Sequence, residues 1–322
     1  MKIFAQVHAY PHRHNAGAEW YLHSMLRYLV EQGHECAVMT QDIGCYELDG
    51  VKLYEQHTEK EYELSVWCDI IVSHLGRTGR ALNNTNKHHK PAYVILHNTF
   101  TNRLIEVRQD VALIVNSELA KQDCLEKGYN HRMIVLRPPV FFDDYAFQPQ
   151  KKREHISLIN LWDRKGGVIF NEIAKAMPDR KFLGIKGAYG EQEIHPEVKN
   201  ITYKENTAYI KQACYEQTRI LLMPSVYESY GRTAVEAMSS GIPVIAADTT
   251  GLRESCGDCG IFIDQDAPLA DWIEAIETLD NEAYYKELSA ACIEWAQQLN
   301  DESLDELEIL NKFISYDYGD TL

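Results

Sequence analysis

Glu228 and Glu236 stand with seven residues between them inside the stretch PSVYESYGRTAVEAMSSGIPVIAADTTGLRE, residues 224–254. The apolar run Ile220-Leu221-Leu222-Met223 ahead of it reads as a buried strand, which Pro224 and Ser225 break. The loop from Val226 to Gly231 carries Glu228, and a helix over 232–240 carries Glu236 in its second turn. Gly241 and Pro243 mark the end of that helix, and Val244–Ala247 reads as the next strand. Gly231 lets backbone approach a ligand closely. The helix start adds free N–H groups and the positive end of a dipole, which suits a phosphate. Arg232 and Thr233 add donors. A carboxylate one turn into the helix can accept two hydrogen bonds from a ribose diol, and one on the preceding loop can meet a sugar. The pair is therefore suited to the two ends of a sugar nucleotide. An isolated Glu pair, by contrast, is more often a solvated loop residue and a helix surface residue.

The whole string decides between these readings. Glu228 through Glu236, followed by Ala237-Met238-Ser239-Ser240-Gly241-Ile242-Pro243-Val244-Ile245-Ala246, resembles without a gap the signature of the retaining glycosyltransferases of family 4. The resemblance implies the GT-B fold: α/β, two Rossmann-like doubly wound parallel-sheet domains facing each other across a cleft. It also implies retention at the anomeric carbon and no metal ion in the step. We expect no cofactor, with the nucleotide-diphosphate sugar (UDP- or GDP-linked) serving as substrate.

The elements that must position these groups follow the same plan. Lys2–Val7 reads as an opening strand, His8–Glu19 as a loop, and Trp20, Leu22, Leu26, Leu29 and Val30 as a helix face ended by Gly33; Glu35–Thr40 is the second strand. This is a βαβ unit, whose ligands lie at the carboxyl ends of strands. Gly17-Ala18-Glu19 and Gln32-Gly33-His34-Glu35 resemble the family's first loop and helix end, which implies backbone contact with the donor at Gly17. His12, Arg13 and His14 either meet an anionic acceptor or form a plain solvated loop. Glu55–Glu63 reads as polar surface. Arg77–Lys90 carries four basic side chains and reads as a solvated helix or an acceptor-site wall.

Ala92–Leu96 is a strand ending at His97, a residue placed either for chemistry or for structure. The family has a His beside the donor sugar at this point, and His97 matches it. Val111–Val115 leads to a helix with Ser117 as N-cap. In the second half, Ile156–Ile159 is a strand followed by Asn160 and the loop through Arg164, Lys165, Gly166 and Gly167. Lys165-Gly166 resembles the family's Lys-Gly, whose Lys neutralises the diphosphate. Asn160 stands where the family usually has Arg; either Arg164 replaces it from a different position or the site carries less positive charge. The resemblance thus gives Glu228 and His97 as catalytic residues. The donor-binding set is Gly17, Asn160, Arg164, Lys165, Tyr230, Gly231, Arg232, Thr233 and Glu236. Thr207–Cys214, Pro268–Leu279, Glu282–Leu299 and Asp301–Phe313 read as helices, and Thr250-Gly251 as a loop.

The expected layout is a first domain over 1–140, a linker over 141–153, a second domain over 154–300 and a returning C-terminal helix over 301–322. With 322 residues, 45% of them hydrophobic and 25% charged, the chain has the composition of a soluble two-domain protein. No apolar run is long enough to span a bilayer, and the opening residues do not read as a signal peptide. The scattered cysteines point to a reducing, cytoplasmic setting. Cys256 and Cys259 form a close pair without the partners a zinc site needs. A net charge of −16 argues against a broad nucleic-acid surface. The expected partners are a nucleotide-sugar donor and an acceptor that is a saccharide, lipid, protein, nucleic acid or small molecule. The other readings are a catalytically silent nucleotide-sugar scaffold, a sugar-nucleotide epimerase or phosphorylase, and a sugar transferase acting on nucleic acid.

Overall fold

The computed structural model describes residues 1–41, 44–100, 111–147 and 152–319. The chain divides into two compact units, Met1–Pro139 with Glu302–Leu322, and Val140–Asp301. Of the stretch read as a linker, residues 148–151 lie outside the described residues, as do 320–322 of the expected terminal helix.

The first unit contains β1 (Lys2–Gln6), α1 (Gly17–Glu31), β2 (Glu35–Thr40), β3 (Tyr46–Leu48), β4 (Val51–Glu55), α2 (Thr58–Trp67), β5 (Ile70–His74), α3 (Thr78–His88), β6 (Ala92–Leu96), β7 (Val111–Val115), α4 (Glu118–Glu126) and β8 (Met133–Val135). Its sheet has the order β3-β4-β2-β1-β5-β6-β7-β8. All pairs are parallel except β3 with β4. Strands β6 and β7 are apolar along their whole length, and β5 is buried along its whole length, because helices cover both faces of a parallel sheet. Ser117 caps α4 by accepting from the Ala120 N–H at 3.1 Å.

Residues 58–67, within and beyond a stretch read as polar surface, form helix α2. Its apolar face is hard to see because one of its inward members is an acid. Glu61 is buried and its Oε1 accepts from Gln6 at 2.8 Å, Asn84 at 2.7 Å and Arg80 Nε at 2.7 Å. Arg80 and Asn84 of the basic stretch 77–90 thus turn onto α2.

The second unit contains α5 (Phe142–Tyr145), β9 (His155–Ile159), α6 (Gly167–Ala176), β10 (Lys181–Ile185), β11 (Ile201–Lys204), β12 (Thr218–Met223), α7 (Arg232–Ser239), β13 (Val244–Ala247), α8 (Thr250–Cys256), β14 (Ile261–Ile263) and α9 (Leu269–Thr278). The sheet runs β11-β10-β9-β12-β13-β14, all parallel. Numbered within the unit this is 3-2-1-4-5-6, the doubly wound order whose reversal point lies between β9 and β12. One apolar cluster around Phe170, Phe182 and Trp272 fills one face, and another around Tyr215, Met238 and Cys292 fills the other.

Other elements also differ from the sequence reading. Thr250-Gly251 opens helix α8 rather than a loop, with Thr249 Oγ1 accepting from Leu252 N at 3.3 Å. Gly251 is glycine because a Cβ there would fall 2.2 Å from the Glu228 carbonyl oxygen, so α8 packs directly on the Glu228 backbone. The helix read over 207–214 is a single wide π turn, Lys211–Tyr215, closed by Glu216 N to Lys211 O at 2.9 Å. Finally, Glu282–Leu299 and Asp301–Phe313 are one helix, α10 (Glu282–Gly319), since Asn300-Asp301 brings neither Gly nor Pro to stop it. Its last part belongs to the first unit, where Glu306 accepts from the Arg137 N–H at 2.6 Å and Asn311 meets His34 Nε2 at 2.7 Å.

Candidate functional site

At the reversal point of the second sheet, the chain leaving β9 and the chain leaving β12 run side by side. Asn160 follows β9 with φ of +70°, a left-handed conformation that Asn tolerates better than most residues. Its Oδ1 accepts from Trp162 N and from Gln192 Nε2, both at 3.2 Å. The Arg expected here is therefore replaced by a residue that shapes the loop. Gln192 completes the buckle, its Oε1 accepting from Leu161 N at 3.0 Å and Gly187 N at 2.7 Å. A turn over Asp163–Lys165 follows. The Arg164 side chain is exposed, with its guanidinium 5.5 Å from the Trp162 ring centre, and its carbonyl accepts from Val226 N at 3.1 Å.

That backbone bond joins the two loops and brings Lys165 to Glu228. Lys165 Nζ donates to Glu228 Oε1 at 2.6 Å, and Ser225 Oγ donates to the same oxygen at 2.9 Å. Burial opposes the Lys165 charge, yet the Glu228 carboxylate outweighs it and holds the ammonium above its ordinary pKa. Both side chains remain partly open, at 20% and 14% exposure, so a ligand can still reach them.

Glu236 lies deeper. Its Oε1 accepts from Arg232 Nε at 2.7 Å and Tyr145 OH at 3.1 Å, and its Oε2 accepts from Tyr215 OH at 2.7 Å. Arg232, only 8% exposed, also reaches Tyr145 OH at 3.3 Å. Burial opposes its charge, but Tyr145 and Glu236 hold the guanidinium above its ordinary range. Burial pushes Tyr145 and Tyr215 upward, and Glu236 adds to both. The Arg232 guanidinium and the Glu236 carboxylate, expected to meet phosphate and ribose, are thus engaged with each other. Tyr230 is packed among Val140, Val235 and Leu299, Thr233 is half-buried, and Gly231 takes φ of +107° against Leu252. Tyr145, Tyr215, Ser225 and Gln192 escape a reading of the sequence, because each acts from another segment or through a neutral side chain.

The first unit places a second group of polar side chains at the corresponding reversal point, between β1 and β5. Glu19, on the first turn of α1, is 1% exposed, and His74, the last residue of β5, is fully buried. His8 Nε2 stands 3.5 Å from Glu19 Oε1, and His14 Nδ1 stands 3.4 Å from Oε2. The Glu19 contact keeps His14 above its ordinary pKa despite burial. His74 Nδ1 meets His97 Nε2 at 2.7 Å, and Tyr21 stands edge-on to His97 with centroids 5.0 Å apart. The His97 ring is partly exposed, yet burial pushes its pKa down to about 3, with His8 adding to the effect. Burial likewise drives His74 well below the usual range, with His97 and His8 contributing. A Cβ at Gly17 would meet nothing within 4 Å, so that backbone is open to a ligand.

Residues 171–281 match the profile of the family described as glycosyl transferases group 1. Among curated proteins, the chain is 31% identical over 118 residues to a D-inositol 3-phosphate glycosyltransferase of Nocardioides, a segment covering 36% of this chain and 24% of that one. It is 30% identical over 86 residues to the O-antigen chain mannosyltransferase B of Escherichia coli, covering 27% and 23% of the two chains. The matched segments therefore span about a quarter of these relatives. Among solved structures, the Anabaena HepE protein in complex with UDP and glucose superposes with a TM-score of 0.80 over 98% of this chain and 99% of that one, at 17% identity. Among the described residues no helix is long and apolar enough to cross a membrane.

Proposed function

We propose that this chain, whose residues 171–281 match the profile of the glycosyl transferases group 1 and whose fold resembles that of a UDP-binding protein, transfers a sugar from a nucleotide-diphosphate donor to an acceptor hydroxyl. The transfer retains the anomeric configuration and uses no metal ion on the leaving group. The observation that carries this reading is the Lys165–Glu228 pair at the reversal point of the second sheet. Ligands of doubly wound sheets bind at this point. A charged ammonium suits the diphosphate, whose negative charge grows as the glycosidic bond breaks. The carboxylate suits sugar hydroxyls. On donor binding the two groups exchange one another for phosphate and sugar. His97, neutral at physiological pH, contacts the sugar through a ring nitrogen in this reading, as the family resemblance implies.

The test is a thermal-shift series with UDP-, GDP-, ADP- and dTDP-sugars on the wild type, Lys165→Ala and Glu228→Gln, with and without EDTA. A ligand that binds only the folded state raises the midpoint by mass action. We expect one donor to raise it in the wild type with or without EDTA, and the shift to shrink in both variants. Product NMR with inositol phosphates and mannosides as first acceptors, chosen from the relatives' names, then reads the anomeric configuration. Absence of any shift, supported by calorimetry, overturns the proposal.

A second reading, donor binding without transfer, is favoured by Asn160, which shapes the loop where the family usually has an Arg and leaves the diphosphate with less positive charge. Donor binding with no release of free nucleotide across the acceptor series would select it.

A further inference from the structure

The polar group of the first unit carries a feature that sugar transfer does not require. His8, Glu19 and His74 each offer one ligand atom, and these atoms lie within 4.8 Å of one another. They come from three separate segments that meet at the reversal point of the sheet: the loop after β1, the first turn of α1 and the end of β5. His74 is fully buried, and His97 occupies its Nδ1, leaving only Nε2 to bind anything else. That Nε2 has no hydrogen-bond partner among the described residues. The His97 bond also fixes the ring plane and, with His74 Nδ1–H as donor, leaves a lone pair on Nε2. This is the arrangement by which an outer partner orients a metal-bound imidazole.

The spacing agrees. Four-coordinate zinc with bonds of about 2.0–2.1 Å holds neighbouring ligand atoms roughly 3.4 Å apart. His8 Nε2 and Glu19 Oε1 stand at 3.5 Å. Two imidazoles and a carboxylate are a donor set for borderline first-row divalent cations, whereas calcium and magnesium prefer oxygen. His14 beside Glu19 Oε2 stands as an outer partner of the carboxylate. Arg77, whose charge reaches His8, is held by Gln56 Oε1 at 2.9 Å.

We infer that the first unit binds one divalent transition cation of the zinc class through His8, Glu19 and His74, with a coordination position left for an oxygen ligand. This site uses none of the second-unit side chains proposed to meet the diphosphate.

The test uses the untagged full chain, freed of metal by chelation and gel filtration. It is titrated with Zn²⁺ by calorimetry and with Co²⁺ by visible absorption. The expected result is one equivalent per chain, with Co²⁺ bands of a four- or five-coordinate site that Zn²⁺ displaces. His8→Ala changes a loop side chain, and Glu19→Gln keeps shape; each is expected to weaken binding at least about tenfold while circular dichroism stays native. His195→Ala is the control, because His195 is near Glu193 and Glu197 in the second unit and would be the place for adventitious binding. Absence of stoichiometric binding overturns the inference. So does binding that survives both first-unit variants, or that disappears in the control.

Discussion

His74 Nδ1 and His97 Nε2 are 2.7 Å apart at the carboxyl ends of the adjacent parallel strands β5 and β6. One N–H is shared between two rings that burial keeps uncharged. Unfolding returns both rings to water, where they take up protons below about pH 6.5.

That difference sets a pH dependence of stability. Both folded pKa values are depressed, His97 to about 3 and His74 in the same direction. Well above about pH 6.5 neither state is protonated and these groups exert no pull. As pH falls below about 6.5 the unfolded chain binds protons that the folded chain refuses, so stability is lost toward His97's folded value. The slope is about 1.4 kcal/mol per pH unit for each proton taken up. Urea unfolding of wild type and His97→Gln between pH 4 and 7 checks this. The variant is expected to show a shallower loss, and an unchanged slope would refute the assignment.

Lys165 and Glu228 predict a distinct pattern in donor binding. Removing the ammonium with Lys165→Ala takes away a charge-assisted bond, about 1.5–3 kcal/mol, or roughly ten- to a hundredfold in dissociation constant. Glu228→Gln keeps the shape and leaves Lys165 positive, so binding of free nucleoside diphosphate is expected to hold or tighten while binding of the sugar-bearing donor weakens. Calorimetry with diphosphate and with its sugar conjugate separates the two roles. Equal losses for both ligands in Glu228→Gln would remove Glu228 from the sugar.

The parts of this fold legible in the sequence are those fixed by local chemistry. Ala92–Leu96, Val111–Val115 and Val244–Ala247 could be read because a fully apolar run bounded by polar residues has few other uses in a parallel sheet. The GT-B expectation rested on a gap-free string and agrees with the observed sheets and the structural likeness to HepE. Helix α2 was hidden because Glu61, an acid, faces inward, paired by residues from β1 and α3. The surroundings of Glu236 were hidden for a related reason. Tyr145 and Tyr215 lie far from it in sequence, and a tyrosine hydroxyl leaves no periodic mark. Asn160 was visible as a departure, but its left-handed backbone was not.

The Arg232–Glu236 pair predicts a large stability effect. Both groups are under one-tenth exposed, so removing one leaves the other charged and buried. Arg232→Ala is expected to cost about 3–5 kcal/mol, whereas replacing both residues by leucine costs far less because no charge is stranded. Tyr215→Phe, which removes one donor from the carboxylate, is expected to cost about 1–3 kcal/mol. Urea midpoints of the three variants give the order directly. A double variant as unstable as Arg232→Ala would show that packing, not stranded charge, dominates.

Gln192 predicts a coupling between loop shape and donor affinity. Its Oε1 accepts from Leu161 N and Gly187 N, and its Nε2 donates to Asn160 Oδ1, so one neutral side chain ties the loop after β9 to the loop after β10. Gln192→Ala leaves two backbone N–H groups without that acceptor and frees the Asn160 amide, which holds its left-handed backbone by a bond to Trp162 N. The expected stability loss is about 1–3 kcal/mol. Lys165 sits on the same loop, and donor affinity depends on its position, so affinity is expected to fall with its own charge intact. Gln192→Glu separates the two effects. It keeps the acceptor for both N–H groups but loses the donor to Asn160, and is expected to retain more stability than Gln192→Ala while still weakening donor binding. Calorimetry on both variants checks this, and full donor affinity in Gln192→Ala would show that Lys165 is held in place without the buckle.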